Sequence, residues 1–212
     1  MDVKKIERIL KILSSRLNIN LQLWNKQDPF HVLIGTVLSQ RTKDENTEKA
    51  AKQLFSKYKT PEEIANAPLK DLEALIKPSG FYRIKAKRIK EISKIIAEKY
   101  NGKVPETINE LVKLPGVGRK TAGCVLVYGF NRPAIPTDVH VFRVSNRIGI
   151  VKEKTPEKTE YALMRVVPKK YWILYNSIMV RFGQQICRPI RPRCWECPIV
   201  DMCEYGEKNF IK

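Results

Sequence analysis

Four cysteines crowd into seventeen residues near the end of a 212-residue chain: Cys187, Cys194, Cys197 and Cys203, spaced C-x6-C-x2-C-x5-C. Four thiolates so close in sequence can wrap one compact centre, and a chain that does so has the path of that segment fixed. Zinc accepts four thiolates as a tetrahedron, and a [4Fe–4S] cluster takes the same four ligands. Zinc sites commonly pair two tight C-x2-C knuckles. Here only Cys194 and Cys197 are tight, and the outer spacings of six and five suit a larger object. Disulfides are the other use of such a set. The first residues, MDVKKIERILKIL, lack the apolar core and small-residue cleavage site of a secretory leader. A reducing, intracellular setting is therefore expected, where disulfides do not persist. Cys124 stands apart and reads as a small buried hydrophobe.

The rest of the chain reads as helix throughout. Ile6, Ile9, Leu10, Leu13 and Leu17 recur at spacings of three and four, the stripe of an amphipathic helix. Pro29 can open a second helix running toward Gln40. Thr60-Pro61-Glu62-Glu63 has the form of a capping box with proline at the first helical position. Thr107 with Glu110 has the same form, and Thr155-Pro156 marks a further start. No convincing alternating strand, long linker or repeat interrupts this pattern. No apolar run approaches the roughly 18 residues of a membrane span.

Charge narrows the partner. Forty Lys and Arg against 22 Asp and Glu leave a net +18, which suits a polyanion. The excess is concentrated. Residues 77–103 hold nine Lys or Arg against Glu91 and Glu98, and residues 181–193 hold four arginines and no acid. A lysine-rich helix is by itself only a solvated face; beside the motifs below it points to phosphate contact.

The middle of the chain reads LPGVGRKTA, Leu114 to Ala122. A short helix ends at Leu114-Pro115, Gly116 and Gly118 permit a tight turn, and a second helix starts near Gly118 with Ala122, Val125, Leu126 and Phe130 on its apolar face. The N–H groups of the turn and of that helix start would face an anion, with the dipole favouring it. Such a turn can be an ordinary corner; in so basic a chain it reads as a phosphate clamp formed by Gly116, Val117, Gly118 and Arg119. Lys120, at the helix start, is either one more phosphate contact or a nucleophile, since desolvation and positive potential lower a lysine pKa. Asp138 opens the apolar helix that follows; there it is an N-cap, a fixed carboxylate at a cleft, or both. His140 reads as a packed histidine, because His31 is the only other one.

LPGVGRKTA, the Thr137-Asp138-Val139-His140-Val141-Phe142-Arg143 helix start and the cysteine tail, in this order, closely resemble the endonuclease III family of helix-hairpin-helix DNA glycosylases. The resemblance runs from about Asn25 to Tyr205. It implies an all-α, two-lobed fold: a six-helix barrel with the hairpin over residues 21–132, and a discontinuous lobe of residues 1–20 and 133–212 ending in a [4Fe–4S] cluster loop. It implies a bifunctional glycosylase and AP lyase that removes oxidised pyrimidines from duplex DNA in base excision repair, working as a monomer in a prokaryotic cytoplasm, on the nucleoid. Lys120 matches the family's Schiff-base lysine, Asp138 its catalytic aspartate, and Cys187, Cys194, Cys197 and Cys203 its cluster ligands. Arg188, Arg191 and Arg193 lie in the loop the cluster would stiffen. A flipped nucleotide leaves a gap, which a glutamine fills in the family. Aligning on Thr42-Lys43-Asp44 puts Arg41 at that position with Gln40 beside it, so both are candidates. Phe81, in Gly80-Phe81-Tyr82, matches the wedge residue or is a core aromatic. Two other readings stand: a single-function mismatch or adenine glycosylase, against which Lys120 argues, and a DNA clamp without chemistry.

Overall fold

In a computed structural model the chain is described over residues 1–19 and 27–209, and every regular element among them is helical. Contacts divide the chain into two units, Met1–Asn25 with Pro133–Lys212, and Lys26–Arg132. The expected boundary between residues 20 and 21 lies outside the described residues.

The first unit is built on α1 (Val3–Arg16), α9 (Val139–Ile148), α10 (Pro156–Val166), α11 (Trp172–Gln185) and the short α12 (Glu204–Asn209). Asp2 caps α1 by accepting from the Lys5 N–H at 2.9 Å. The apolar stripe Ile6, Ile9, Leu10 and Leu13 is buried completely against a core that includes Val141, Val144, Tyr175, Ile178 and Phe182. Burying each such aliphatic side chain contributes roughly 1.5–3 kcal/mol. Tyr175, with no exposed surface, keeps its hydroxyl satisfied on Ser145 Oγ at 2.9 Å. Cys187 and Cys203 belong to the same core, so the cysteine tail is an extension of the packed interior.

The second unit holds α2 (Pro29–Ser39), α3 (Asp44–Lys57), α4 (Pro61–Asn66), α5 (Leu69–Leu75), α6 (Tyr82–Lys99), α7 (Ile108–Leu111) and α8 (Arg119–Cys124), which runs on into a π-helical turn, Val125–Gly129. The apolar α2 touches α3, α6, α8 and the π turn, which makes it the centre of this unit. Gly129 sits where a Cβ would come within 2.8 Å of the Pro29 Cα, so the close approach of the two segments requires glycine. The Thr60 box forms in full: Thr60 Oγ1 accepts from the Glu63 N–H at 3.3 Å and Glu63 Oε2 from the Thr60 N–H at 3.2 Å. The Thr107 box forms only by half. Thr107 Oγ1 accepts from the Glu110 N–H at 3.3 Å, but Glu110 takes the Thr107 hydroxyl proton, at 2.8 Å, instead of turning back to the backbone.

Candidate functional site

The hairpin joins α7 to α8. Val117 donates to Leu114 O at 3.1 Å, closing the turn, and its side chain is buried. Gly116 has φ +72°, which only glycine adopts without strain, and a Cβ there would lie 2.2 Å from Arg88 Nε. Gly118 differs from expectation: its φ is −89° and nothing lies within 4 Å of a Cβ placed on it. The turn conformation therefore needs one glycine, Gly116. Gly118 is the N-cap of α8 and supplies no side-chain cap to its first turn. Lys120, in the first turn, is half-buried and, among the described residues, has no ion-pair partner.

Asp138 caps α9 and leaves part of itself unused. Its Oδ1 accepts from the His140 N–H at 2.9 Å and the Val141 N–H at 2.8 Å. Among the described residues Oδ2 takes no hydrogen bond. One oxygen of this half-buried side chain thus fixes the helix start, which leaves the other available.

The two loops named for duplex contact meet. Gln40 is turned inward, its Nε2 donating to Gly116 O at 3.0 Å and its Oε1 accepting from Arg88 Nη1 at 3.3 Å. Arg41 is exposed, with its guanidinium 6.0 Å from the centroid of the Phe81 ring. Phe81 is 59% exposed and is no core aromatic. Beneath them lies Lys85, one of the nine cations of residues 77–103 and not singled out by the sequence motifs. It is 2% exposed, and the three N–H bonds of Nζ are shared among Leu38 O, Gln40 O, Thr42 Oγ1 and Ser79 Oγ, all at 2.6–2.9 Å. Burial, with a smaller push from Arg88, lowers its pKa to about 8.

The four tail cysteines are unpaired thiols lining one hollow with Arg147, Ile148, Phe182, Ile186, Pro192, Arg193 and Tyr205. The donors there are four sulfurs, with no carboxylate or imidazole among the lining residues. Among the described residues no group of three or more His, Cys, Asp or Glu is arranged to hold a single metal ion. Burial raises all four thiol pKa values, Cys197 to about 11, so a centre bound there displaces four protons. Arg147 works against this at Cys187: its Nη1 is 3.7 Å from Sγ, and the same guanidinium donates to Arg188 O at 2.7 Å and Pro189 O at 3.1 Å. Arg188 and Arg191 are exposed; Arg193 is engaged by Glu196 at 3.1 Å and is the least free of the three.

Backbone strain picks out the same places. Six non-glycine residues among those described have positive φ. Three are asparagines, which tolerate the left-handed region. The others are Arg41 (φ 51°), Phe81 (φ 58°) and Arg191 (φ 51°). Strain in bulky residues persists where the surroundings over-determine it, and it gathers at ligand sites.

Residues 34–169 match the family described as the HhH-GPD superfamily base excision DNA repair protein. The chain is 58% identical over 182 residues to Endonuclease III of Thermotoga maritima, covering 86% of this chain and 85% of that one. A trapped endonuclease III–DNA covalent intermediate, in an estranged-adenine complex, superposes with a TM-score of 0.88 at 37% identity, covering 98% of each chain. A thermostable thymine-DNA glycosylase superposes with a TM-score of 0.87 at 27% identity, covering 97% of this chain and 98% of that one.

Proposed function

This chain belongs to the endonuclease III family, within the HhH-GPD superfamily of base excision DNA repair proteins, and from that premise we propose how its own residues divide the work. It is a bifunctional DNA glycosylase and AP lyase. Our reading of the substrate is duplex DNA carrying oxidised pyrimidines or abasic sites, met by a monomer. The observation that carries the assignment of roles is Lys120, an amine with no acidic partner among the described residues, in the first turn of a helix without a side-chain cap, beside a glycine turn.

The hairpin residues Gly116, Val117, Gly118 and Arg119 hold the backbone phosphates, with the N–H groups at the start of α8 as donors. The target nucleotide leaves the stack, because C1′ is shielded inside the duplex. Phe81 wedges the vacated step, and Arg41 enters the gap in place of the family's glutamine. Gln40, held by Gly116 and Arg88, serves the loop itself. As the C1′–N bond breaks, charge builds at C1′ and O4′, and the free oxygen of Asp138 stabilises it. The base departs with the bonding electrons and takes up a proton. The neutral amine of Lys120 forms the new bond to C1′. A proton passes from that nitrogen to O4′ as the sugar ring opens, leaving an iminium. The iminium acidifies C2′; loss of that proton forms the C2′–C3′ double bond and expels the 3′ phosphate. Water then hydrolyses the imine and frees Lys120.

The family carries a [4Fe–4S] cluster, and the all-sulfur donor set of Cys187, Cys194, Cys197 and Cys203 fits one here. Bound there, it supplies a rigid anchor for the segment bearing Arg188, Arg191 and Arg193, which would face phosphate. Ultraviolet–visible absorption of the purified protein separates an iron–sulfur chromophore from colourless zinc.

The test of the roles is borohydride trapping on a duplex with one thymine glycol, wild type beside Lys120→Ala. A covalent adduct from wild type alone is the expected result. Alkali-labile sites without an adduct would make the chain a single-function glycosylase.

A further inference from the structure

Lys85, on α6, has no place in the chemistry above, yet it is the only buried lysine among the described residues. Three of its four oxygen partners, Leu38 O, Gln40 O and Thr42 Oγ1, belong to the end of α2 and the loop behind it; the fourth, Ser79 Oγ, belongs to the loop before α6. The two loops also bond each other: Ser79 Oγ donates to Leu38 O at 2.9 Å and the Gly80 N–H to Thr42 Oγ1 at 3.0 Å. They approach so closely that a Cβ on Gly80 would stand 2.9 Å from Arg41 O. Their tips are Arg41 and Phe81, both strained and both exposed. No carboxylate is among the ammonium's partners, so this is a buried charge satisfied entirely by neutral oxygens, an arrangement costly to maintain for packing alone.

We propose that Lys85 is a positioning residue for duplex penetration. Its ammonium locks the two loops together and holds Arg41 and Phe81 in protruding, left-handed poses before DNA arrives. The ordering of the two tips is then met on folding and does not weaken the encounter. This rests on the reading that Arg41 and Phe81 enter the duplex.

The experiment compares Lys85→Met and the milder Ser79→Ala with wild type in two readouts. One is the ratio of single-turnover nicking at an abasic site in duplex DNA to nicking at the same site in a single strand, where there is no stack to open. The other is the fluorescence of 2-aminopurine placed opposite the site, which rises when the stack is opened. Lys85→Met is expected to lower the ratio about 100-fold, the effect of a displacement near 1 Å, and Ser79→Ala about 10-fold, with the fluorescence rise reduced in both. A merely structural role would lower both activities together and leave their ratio alone. A ratio and a fluorescence rise within about twofold of wild type would overturn the proposal. If Lys85→Met does not fold, Ser79→Ala decides. Arg41→Ala and Phe81→Ala separate the two layers of the argument. If they abolish the fluorescence rise while Lys85→Met and Ser79→Ala keep it, Lys85 has no positioning role. If they leave the rise at the wild-type level, the penetration reading itself fails.

Discussion

Asp138 can be divided by substitution into its two proposed duties. Its Oδ1 holds two N–H groups, at 2.9 and 2.8 Å, at the start of a helix whose N-terminus is half-buried. Asp138→Ala removes that cap, which costs about 1–2 kcal/mol, and the two stranded donors put the loss at the upper end. At about 2–4 °C per kcal/mol for a chain of this size, the melting temperature should fall by about 4–8 °C. Asp138→Asn keeps an oxygen for both donors and loses only the charge facing the helix dipole, about 0.3–1 kcal/mol, or about 1–4 °C. The chemistry should rank otherwise. Both variants lose the carboxylate that stabilises charge at C1′, and base release in single-turnover assays on a thymine glycol duplex should fall on the order of 10²–10³-fold in each. Thermal melts and alkali-developed product gels measure the two effects on the same samples. Wild-type base release by Asp138→Asn would remove Asp138 from the reaction; a melting temperature for Asp138→Asn as low as that of Asp138→Ala would refute the cap as the source of its stability.

Two further outcomes are expected. Gly116→Ala must adopt φ +72° and push Arg88 away from Gln40, at a cost of about 1–2 kcal/mol of backbone strain and about 1 kcal/mol of hydrogen bonding, whereas Gly118→Ala meets neither obstacle. Urea denaturation should therefore separate the two glycine variants clearly, and equal stabilities would contradict the turn geometry. For Lys85, the folded-state pKa near 8 lies below the ordinary 10.5. Below pH 8 folded and unfolded chains both hold the proton and the burial penalty is felt in full. Between these two values the unfolded chain holds more protons, so this residue's contribution to stability rises with pH. The stability difference between wild type and Lys85→Met, from denaturant titrations at pH 7 and pH 10, should shift in favour of wild type at the higher pH; a flat difference would mean that Lys85 is not desolvated.

The helix starts were legible because their signals are local. Thr60, Thr155 and Asp138 each cap through an oxygen three residues or fewer from its donor. Glu110 departs because the return bond of its box competes with the Thr107 hydroxyl, a choice that side-chain rotamers make and spacing does not reveal. Gln40 and Arg41 are equal candidates in the sequence, because the contacts that occupy Gln40, with Gly116 O and Arg88, span 76 and 48 residues. Lys85 does have a signal of its burial in the sequence. It falls on the stripe of Ile89, Ile92 and Ile96, all fully buried, and a lysine in step with an apolar face is a buried lysine until its neighbours say otherwise.

That lysine changes how the net charge should be understood. A surplus of +18 suggests a surface prepared for phosphate, but part of it points inward to prop backbone. Lys85 holds Leu38 O and Gln40 O beneath Arg41. Lys90, on the same helix, donates to Ala67 O. Arg147 holds Arg188 O and Pro189 O just ahead of the strained Arg191, and Arg143 donates to Gly183 O at 3.1 Å and Cys187 O at 3.0 Å. Each is a cation spent on carbonyl oxygens, and all but Lys90, whose partner Ala67 follows α4, lie in or beside segments proposed to meet DNA. The consequence is physical: the loops that must enter or grip a duplex are irregular, and irregular backbone needs donors. Lysine and arginine provide several donors from one side chain, so a single buried cation can fix a turn that would otherwise take several hydroxyls or amides. The salt dependence of DNA binding should then report fewer released counterions than the basic clusters contain, because the inward cations never reach a phosphate.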